Sequence, residues 1–156
     1  MNDNDTTMVY EGLEILDEHE CRRLLASQCI GRVGVTIGAL PAIFPVNYVT
    51  VDGDIVFRTG EGTKLRAALE HAVVAFEVDH ADTVYHDGWS VQVIGMAEEI
   101  DATWAKNLPV TPWAPGRRQH VIRIRPELLS GRRIRHDLVT ARLEEPQFKE
   151  AAAQRG

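Results

Sequence analysis

Val56-Phe57-Arg58-Thr59-Gly60-Glu61-Gly62-Thr63-Lys64-Leu65-Arg66 changes from one kind of structure to another within a few residues. Ile55, Val56 and Phe57 favour extended backbone and follow Asp52-Gly53, a hairpin signal, so the left half reads as the end of a strand. Thr63 can cap a first helical turn, and Leu65, Ala68 and Leu69 recur behind it at helical spacing, so the right half reads as a helix start. A strand that passes through glycines into a helix aims free backbone N–H groups and a positive dipole end at one spot. Here Arg58, Lys64 and the hydroxyls of Thr59 and Thr63 surround that spot, which is the chemistry of a phosphate cradle. It is not a Walker loop, because Leu65 follows Lys64 where Ser or Thr is needed, and a dinucleotide fingerprint would need glycine where Leu65 stands. A plain surface turn with solvated Arg58 and Lys64 stays open as the other reading, and Glu61 opposes an anion.

A chain of 156 residues with 44% hydrophobic content suits one domain with a real core, and no stretch is apolar enough to cross a bilayer. Residues 1–7 are polar and acidic with no apolar export signal, and Cys21 and Cys29 build no disulfide framework. A cytoplasmic protein is expected. The formal net charge of −6, from 17 Lys+Arg against 23 Asp+Glu, disfavours broad affinity for nucleic acid. Seven arginines (117, 118, 123, 125, 132, 133 and 135) nevertheless gather near the C-terminus, opposed within that span only by Glu127. Such a strip suits RNA, a phosphorylated ligand or an acidic partner face, but no aromatic residues alternate with the arginines to stack on bases. A cofactor-free ligand- or nucleic-acid-binding module using residues 117–135 is the alternative from another class.

Along the chain, Asp17 with Glu20 reads as a capping box that opens a helix with Leu24 and Leu25 on its apolar face, and Leu16 can staple onto Cys21. Residues 31–37 switch to period two, and Gly31 and Gly34 mark a strand that something approaches closely. Residues 42–51 are β-rich but carry Pro45, which belongs at a bulge or an unpaired edge. A buried strand over 72–78 follows the helix of 64–70. Residues 79–88 hold two histidines and three aspartates, but the spacing fits no compact ligand pair, so an exposed loop and no metal are expected. Then come a strand over 89–97, with Ser90 and Gln92 on one face and Trp89, Val91 and Val93 on the other, and a short capped helix at 101–106. A proline-rich loop over 108–116 carries Trp113, and a strand over 120–125 places Arg123 and Arg125 on one face. A last short strand is expected at 131–134. Hairpin-linked strands in this number imply an antiparallel sheet that closes into a barrel. The fold expected is mainly β, a six- to seven-stranded antiparallel split barrel of Greek-key type over residues 13–140. A flexible segment (1–12) precedes it, and a tail (141–156) follows.

Leu24-Leu25-Ala26 before Gly31-Arg32-Val33-Gly34, then Phe44-Pro45-Val46-Asn47-Tyr48, Phe57-Arg58-Thr59 with Gly62-Thr63-Lys64-Leu65, and Gly88-Trp89-Ser90-Val91 with Gly95 occur in that order. The ordered set resembles the pyridoxamine 5′-phosphate oxidase-like flavin-binding split barrels, in particular the group that includes nitroimidazole-resistance proteins. The resemblance spans residues 13–135. It implies a homodimer with two FMN sites between the subunits, acting as an oxidoreductase on a small molecule, with a deazaflavin coenzyme as the alternative to FMN. By the same resemblance Arg58, Thr59, Thr63 and Lys64 would hold the phosphate and ribityl chain. Pro45, Val46 and Asn47 would lie along the isoalloxazine ring, and Trp89, Ser90 and Gln92 would complete the pocket. Arg133-Ile134-Arg135-His136 does not reproduce the vitamin B6 oxidase's substrate-binding arginine and histidine separated by one residue, so the resemblance does not extend to that substrate.

Overall fold

The computed structural model describes residues 9–10, 13–60, 64–101, 103–104 and 120–135. Its elements are β1 (Val9–Tyr10), β2 (Leu13–Leu16), α1 (Glu18–Ser27), β3 (Ile30–Ile37), β4 (Leu40–Val51), β5 (Asp54–Thr59), α2 (Lys64–Ala68), β6 (Ala72–Asp82), β7 (Asp87–Ile100) and β8 (His120–Ile134). Every pairing is antiparallel. The strands β8-β5-β4-β3-β6-β7 lie side by side, and β7 returns to β8 to close the ring. One edge of β8 follows β7 throughout. Its other edge is shared, residues 120–124 with β5 and 131–134 with β2, and between them the barrel is split. Because β6 lies beside β3 rather than β5, the order β6-β3-β4-β5 is a Greek key, with α2 in the crossing connection.

Alternation decides what faces inward. Gly31, Val33 and Val35 of β3, Val74, Phe76 and Val78 of β6, and Val91, Val93 and Ala97 of β7 are buried, while their neighbours point out. Phe76 sets its ring edge against Tyr48, centroids 4.9 Å apart at 74°. A Cβ on Gly31 would come within 2.2 Å of that ring, so the close approach expected at this glycine is made by the core itself. The helix α1 covers one end of the barrel with Cys21, Leu24 and Leu25. Asp17 caps it by accepting from the Glu20 N–H at 2.7 Å, and the Tyr48 hydroxyl donates to the Leu25 carbonyl. The Glu20 carboxylate turns instead to Arg23 and Arg133, which ties α1 to β8.

Several expectations change. The polar stretch 79–88 is mostly strand, since His80 pairs with Trp89 and Asp82 with Asp87, leaving residues 83–86 as the turn. Its residues are largely exposed whichever way they point, so no alternation reveals the strands. The two strands expected at 120–125 and 131–134 are one, interrupted by a bulge where Gly95 pairs with Pro126 and Ile94 with Leu128. Pro45 sits in register opposite Arg32 without a bulge, on the part of β4 that β5 has not yet joined, which is the unpaired edge a proline needs. Of the helix expected at 101–106, residues 103–104 form a turn, with the Asp101 side chain accepting from the Thr103 N–H at 2.7 Å, and residues 102, 105 and 106 lie outside the described residues. The loop 108–116 with Trp113, and Arg117 and Arg118, lie outside the described residues. No helix of the described chain is long and apolar enough to cross a membrane.

Candidate functional site

The strands β4 and β5 pair from Val51–Asp54 back to Tyr48–Phe57 and then diverge. Tyr48 and Phe57 point into the core, so Asn47 and Arg58, one residue beyond each, turn to the outer face. Both are half-buried, and Arg58 stands two residues before Gly60. Val56 and Val121 lie on the same outer face and are fully buried against Val49, Val51 and Ile100, which gives the spot an apolar floor. Pro45 is exposed two residues from Asn47, whereas Val46 is buried inside the barrel. The structure therefore gathers Pro45, Asn47 and Arg58 on one side. Thr59 is turned the other way, 2% exposed and paired with His120 on β8. Lys64 opens α2, while its side chain, like Thr63, lies outside the described residues.

The remaining expected site residues lie elsewhere on the barrel. Gln92 belongs to an outer row that runs Pro45, Arg32, Glu77, Gln92 across β4, β3, β6 and β7. Three strand spacings of about 4.8 Å put it roughly 14 Å from Pro45 along the sheet. Ser90 shares that outer face of β7. Trp89, by alternation, does not, and packs beside His80 with ring centroids 6.3 Å apart. It lines a cleft of about 600 Å³ with Tyr85, Asp87, Arg133 and Arg135, at the β6–β7 turn. Within one chain, then, Trp89, Ser90 and Gln92 do not join the group around Arg58.

Charges on the barrel are largely paired. Glu98 receives Arg123 and Arg125, and its carboxyl is held below the ordinary carboxylate range by those hydrogen bonds. Glu14 takes Arg133 and Arg135, the latter at 3.2 Å. Of the arginine strip that is bare in sequence, Arg123, Arg125, Arg133 and Arg135 are thus met by acids from other elements, and Arg133 and Arg135 have structural work to do. A network that sequence reading missed lies under α2. Glu99 receives Arg66 Nε at 3.3 Å and His120 Nδ1 at 2.5 Å, and its carboxyl is held low first by His120 and then by Arg66.

Next to the row of Gln92 lies an apolar one. Ile43, Gly34, Ala75, Ile94 and Leu128 are successive cross-strand partners over five strands, and Ile43, Ile94 and Leu128 are 72%, 43% and 64% exposed.

A sequence profile of the pyridoxamine 5′-phosphate oxidase family matches residues 17–133. The chain belongs to this family. An uncharacterised protein of Mycobacterium tuberculosis is 40% identical over 129 residues, 76% of this chain and 84% of that protein. Among solved structures, an FAD-binding protein from Mycobacterium smegmatis is 35% identical, with a TM-score of 0.64, covering 79% of this chain and 99% of the other. A putative pyridoxamine 5′-phosphate oxidase from Corynebacterium glutamicum is 32% identical, with a TM-score of 0.68, covering 82% and 98%. The split-barrel fold and the family resemblance read from the sequence are borne out, and the family and its neighbours point to a flavin-binding protein.

Proposed function

We propose that this protein binds FMN, with its phosphate at the turn after Arg58, and acts as an oxidoreductase on a small molecule. The observation that carries the reading is the placing of Asn47 and Arg58 on one outer face, each one residue beyond the last β4–β5 pair, Tyr48–Phe57, where the strands diverge. A guanidinium offers the forked donors a phosphate takes, and the neighbouring amide can bond a ring edge. Pro45 adds an exposed flat side to the same face. The bound flavin would supply the redox chemistry, so the chain need only hold and orient it. Among this chain's residues, Arg58, Thr59, Thr63 and Lys64 are assigned to the phosphate end and Pro45, Val46 and Asn47 to the ring. Val46 and Thr59 act from behind, as buried residues that fix the backbone of β4 and β5.

The site is proposed to be shared between two copies. Ser90 and Gln92 stand about three strands from Pro45, too far to close one pocket within a chain, and the apolar row beside them is a face for a twin subunit. Trp89 would then serve the pocket from the partner's side, at the mouth of its cleft. The test is calorimetric titration in parallel with FMN, FAD, riboflavin and the deazaflavin coenzyme. FMN should bind, riboflavin more weakly, and FAD is included because it carries the same first phosphate. Tight binding of the deazaflavin alone would move the protein to that cofactor, and binding of none would refute the assignment. The reduced complex should pass electrons to a quinone, a nitro compound or oxygen.

A further inference from the structure

We propose that Glu99 is a positioning residue that clamps both stems of the turn between β5 and α2, and so sets the affinity for the flavin's phosphate; this rests on the assignment of the phosphate to that turn. The turn leaves β5 at Thr59 and enters α2 at Lys64. With five residues, α2 is far too short to be stable by its own hydrogen bonds, so its place depends on what it is fastened to. Leu65 and Leu69 are buried beneath it, but apolar contacts fix a position less sharply than directed bonds do. Glu99 supplies the directed bonds. One oxygen takes Arg66 of α2 at 3.3 Å and the other takes Nδ1 of His120 at 2.5 Å. His120 is in turn the cross-strand partner of Thr59, the last residue of β5. A single carboxylate therefore joins the residue before the turn, through one strand pair, to the helix after it.

The state of His120 fits this role. Its Nε2 is buried and has no hydrogen-bond partner among the described residues, where the ring is held from one side, by Glu99. Burying an imidazole nitrogen without a partner is unfavourable, and the bond at Nδ1 is what keeps the ring in place. Remove the carboxylate and both His120 and Arg66 lose their common anchor. The end of β5 and the start of α2 would then be brought into place only as the phosphate binds, which weakens the complex.

The experiment compares wild type, Glu99→Ala, Arg66→Met, His120→Asn and His120→Ala. Each is titrated with FMN and riboflavin, and amide hydrogen exchange is followed at Leu69, just past α2, whose N–H bonds the Leu65 carbonyl at 3.0 Å and closes the helix's last turn. Glu99→Ala should weaken FMN about tenfold while riboflavin hardly changes, and the Leu69 amide should exchange faster. Arg66→Met should behave alike and serves if Glu99→Ala folds poorly. His120→Asn, whose amide N–H can stand where Nδ1–H stood, should keep FMN affinity where His120→Ala loses it. Equal losses for FMN and riboflavin, or unchanged Leu69 exchange, would overturn the clamp. Should wild type bind no flavin, the phosphate assignment fails separately and exchange alone decides: faster exchange in Glu99→Ala upholds the clamp, unchanged exchange removes it.

Discussion

Gly31→Ala is the sharpest available test of what the glycines of β3 are for. Two readings compete: that Gly31 makes room for a ligand, or that it makes room for the core. The geometry favours the core, since an added methyl would stand 2.2 Å from Cζ and 2.8 Å from Cε2 of Phe76. That ring is 1% exposed and braced by Tyr48, so it has no solvent to swing into. Overpacking of this kind costs about 1–3 kcal/mol. At roughly 2–4 °C per kcal/mol for a domain of this size, the melting temperature should fall by about 2–12 °C. Phe76→Leu alone should also destabilise, by leaving a cavity. Together the two should be less harmful than their sum, because the smaller side chain vacates the space the methyl needs, and a coupling of about 1 kcal/mol is expected. Urea denaturation of the four proteins in the cycle measures it. Additive losses would refute the steric account, and a Gly31→Ala protein of normal stability that had lost flavin would show the glycine to be part of the site.

Three further outcomes are expected. Lys64→Ala and Arg58→Ala should each weaken FMN about ten- to a hundredfold, the loss of a charge-assisted bond of about 1.5–3 kcal/mol, while riboflavin is spared; calorimetry with both ligands checks this, and equal losses would remove the phosphate role. Glu20 is drawn down from 4.5 to about 2 by its bonds to Arg23 and then Arg133. A depressed carboxylate stabilises above its unfolded pKa, and that stability is lost as pH falls from about 4.5 towards 2. Arg133→Gln should therefore lose about 1–2 kcal/mol less than wild type over that interval in urea titrations, and parallel curves would contradict the linkage. Sedimentation at micromolar concentration should find a dimer in wild type and a monomer in Ile94→Asp, and a monomeric wild type would end the shared-site proposal.

Most of the fold was legible because the barrel is built from alternation. The inward valines of β3, β6 and β7 recur at every second residue, Asp17 and Glu20 mark the start of α1, and Pro45 signals the free edge of β4. What stayed hidden lacks a one-sided environment or a local partner. The β6–β7 ribbon over 79–88 is wet on both sides, so its polar residues looked like a loop. The continuity of β8 was masked by Pro126 and the bulge beside it. The arginines of β8 looked bare because the acids that meet them, Glu14, Glu20 and Glu98, come from other strands and from α1. Arg58 and Asn47 could be picked out one at a time, but only the Tyr48–Phe57 pair beside them puts both on one outer face. Nothing in sequence joins Arg66, Glu99 and His120.

The same alternation limits what one chain can do with a flavin. In a strand pair the outer residues form rows, and a row is read out strand by strand, at about 4.8 Å per step. Asn47 and Arg58 each follow the last β4–β5 pair, Tyr48–Phe57, on the same outer face, so they can act on one small group. Pro45 and Gln92 are three steps apart on a curved wall whose intervening positions hold Arg32, bonded to Asp79, and Glu77. A planar ring laid against Pro45 would meet that wall on one side and solvent on the other. Closing it needs a second surface, and the exposed apolar residues Ile43, Ile94 and Leu128 stand next to the same row, where a two-fold partner would bring its own Ser90 and Gln92 to the opposite side of the ring. If so, flavin affinity should depend on protein concentration, falling as the dimer dissociates on dilution, and Ile94→Asp should lose FMN although no residue assigned to the cofactor has changed. Full FMN affinity in a monomeric Ile94→Asp protein would place the whole site within one chain and overturn the argument.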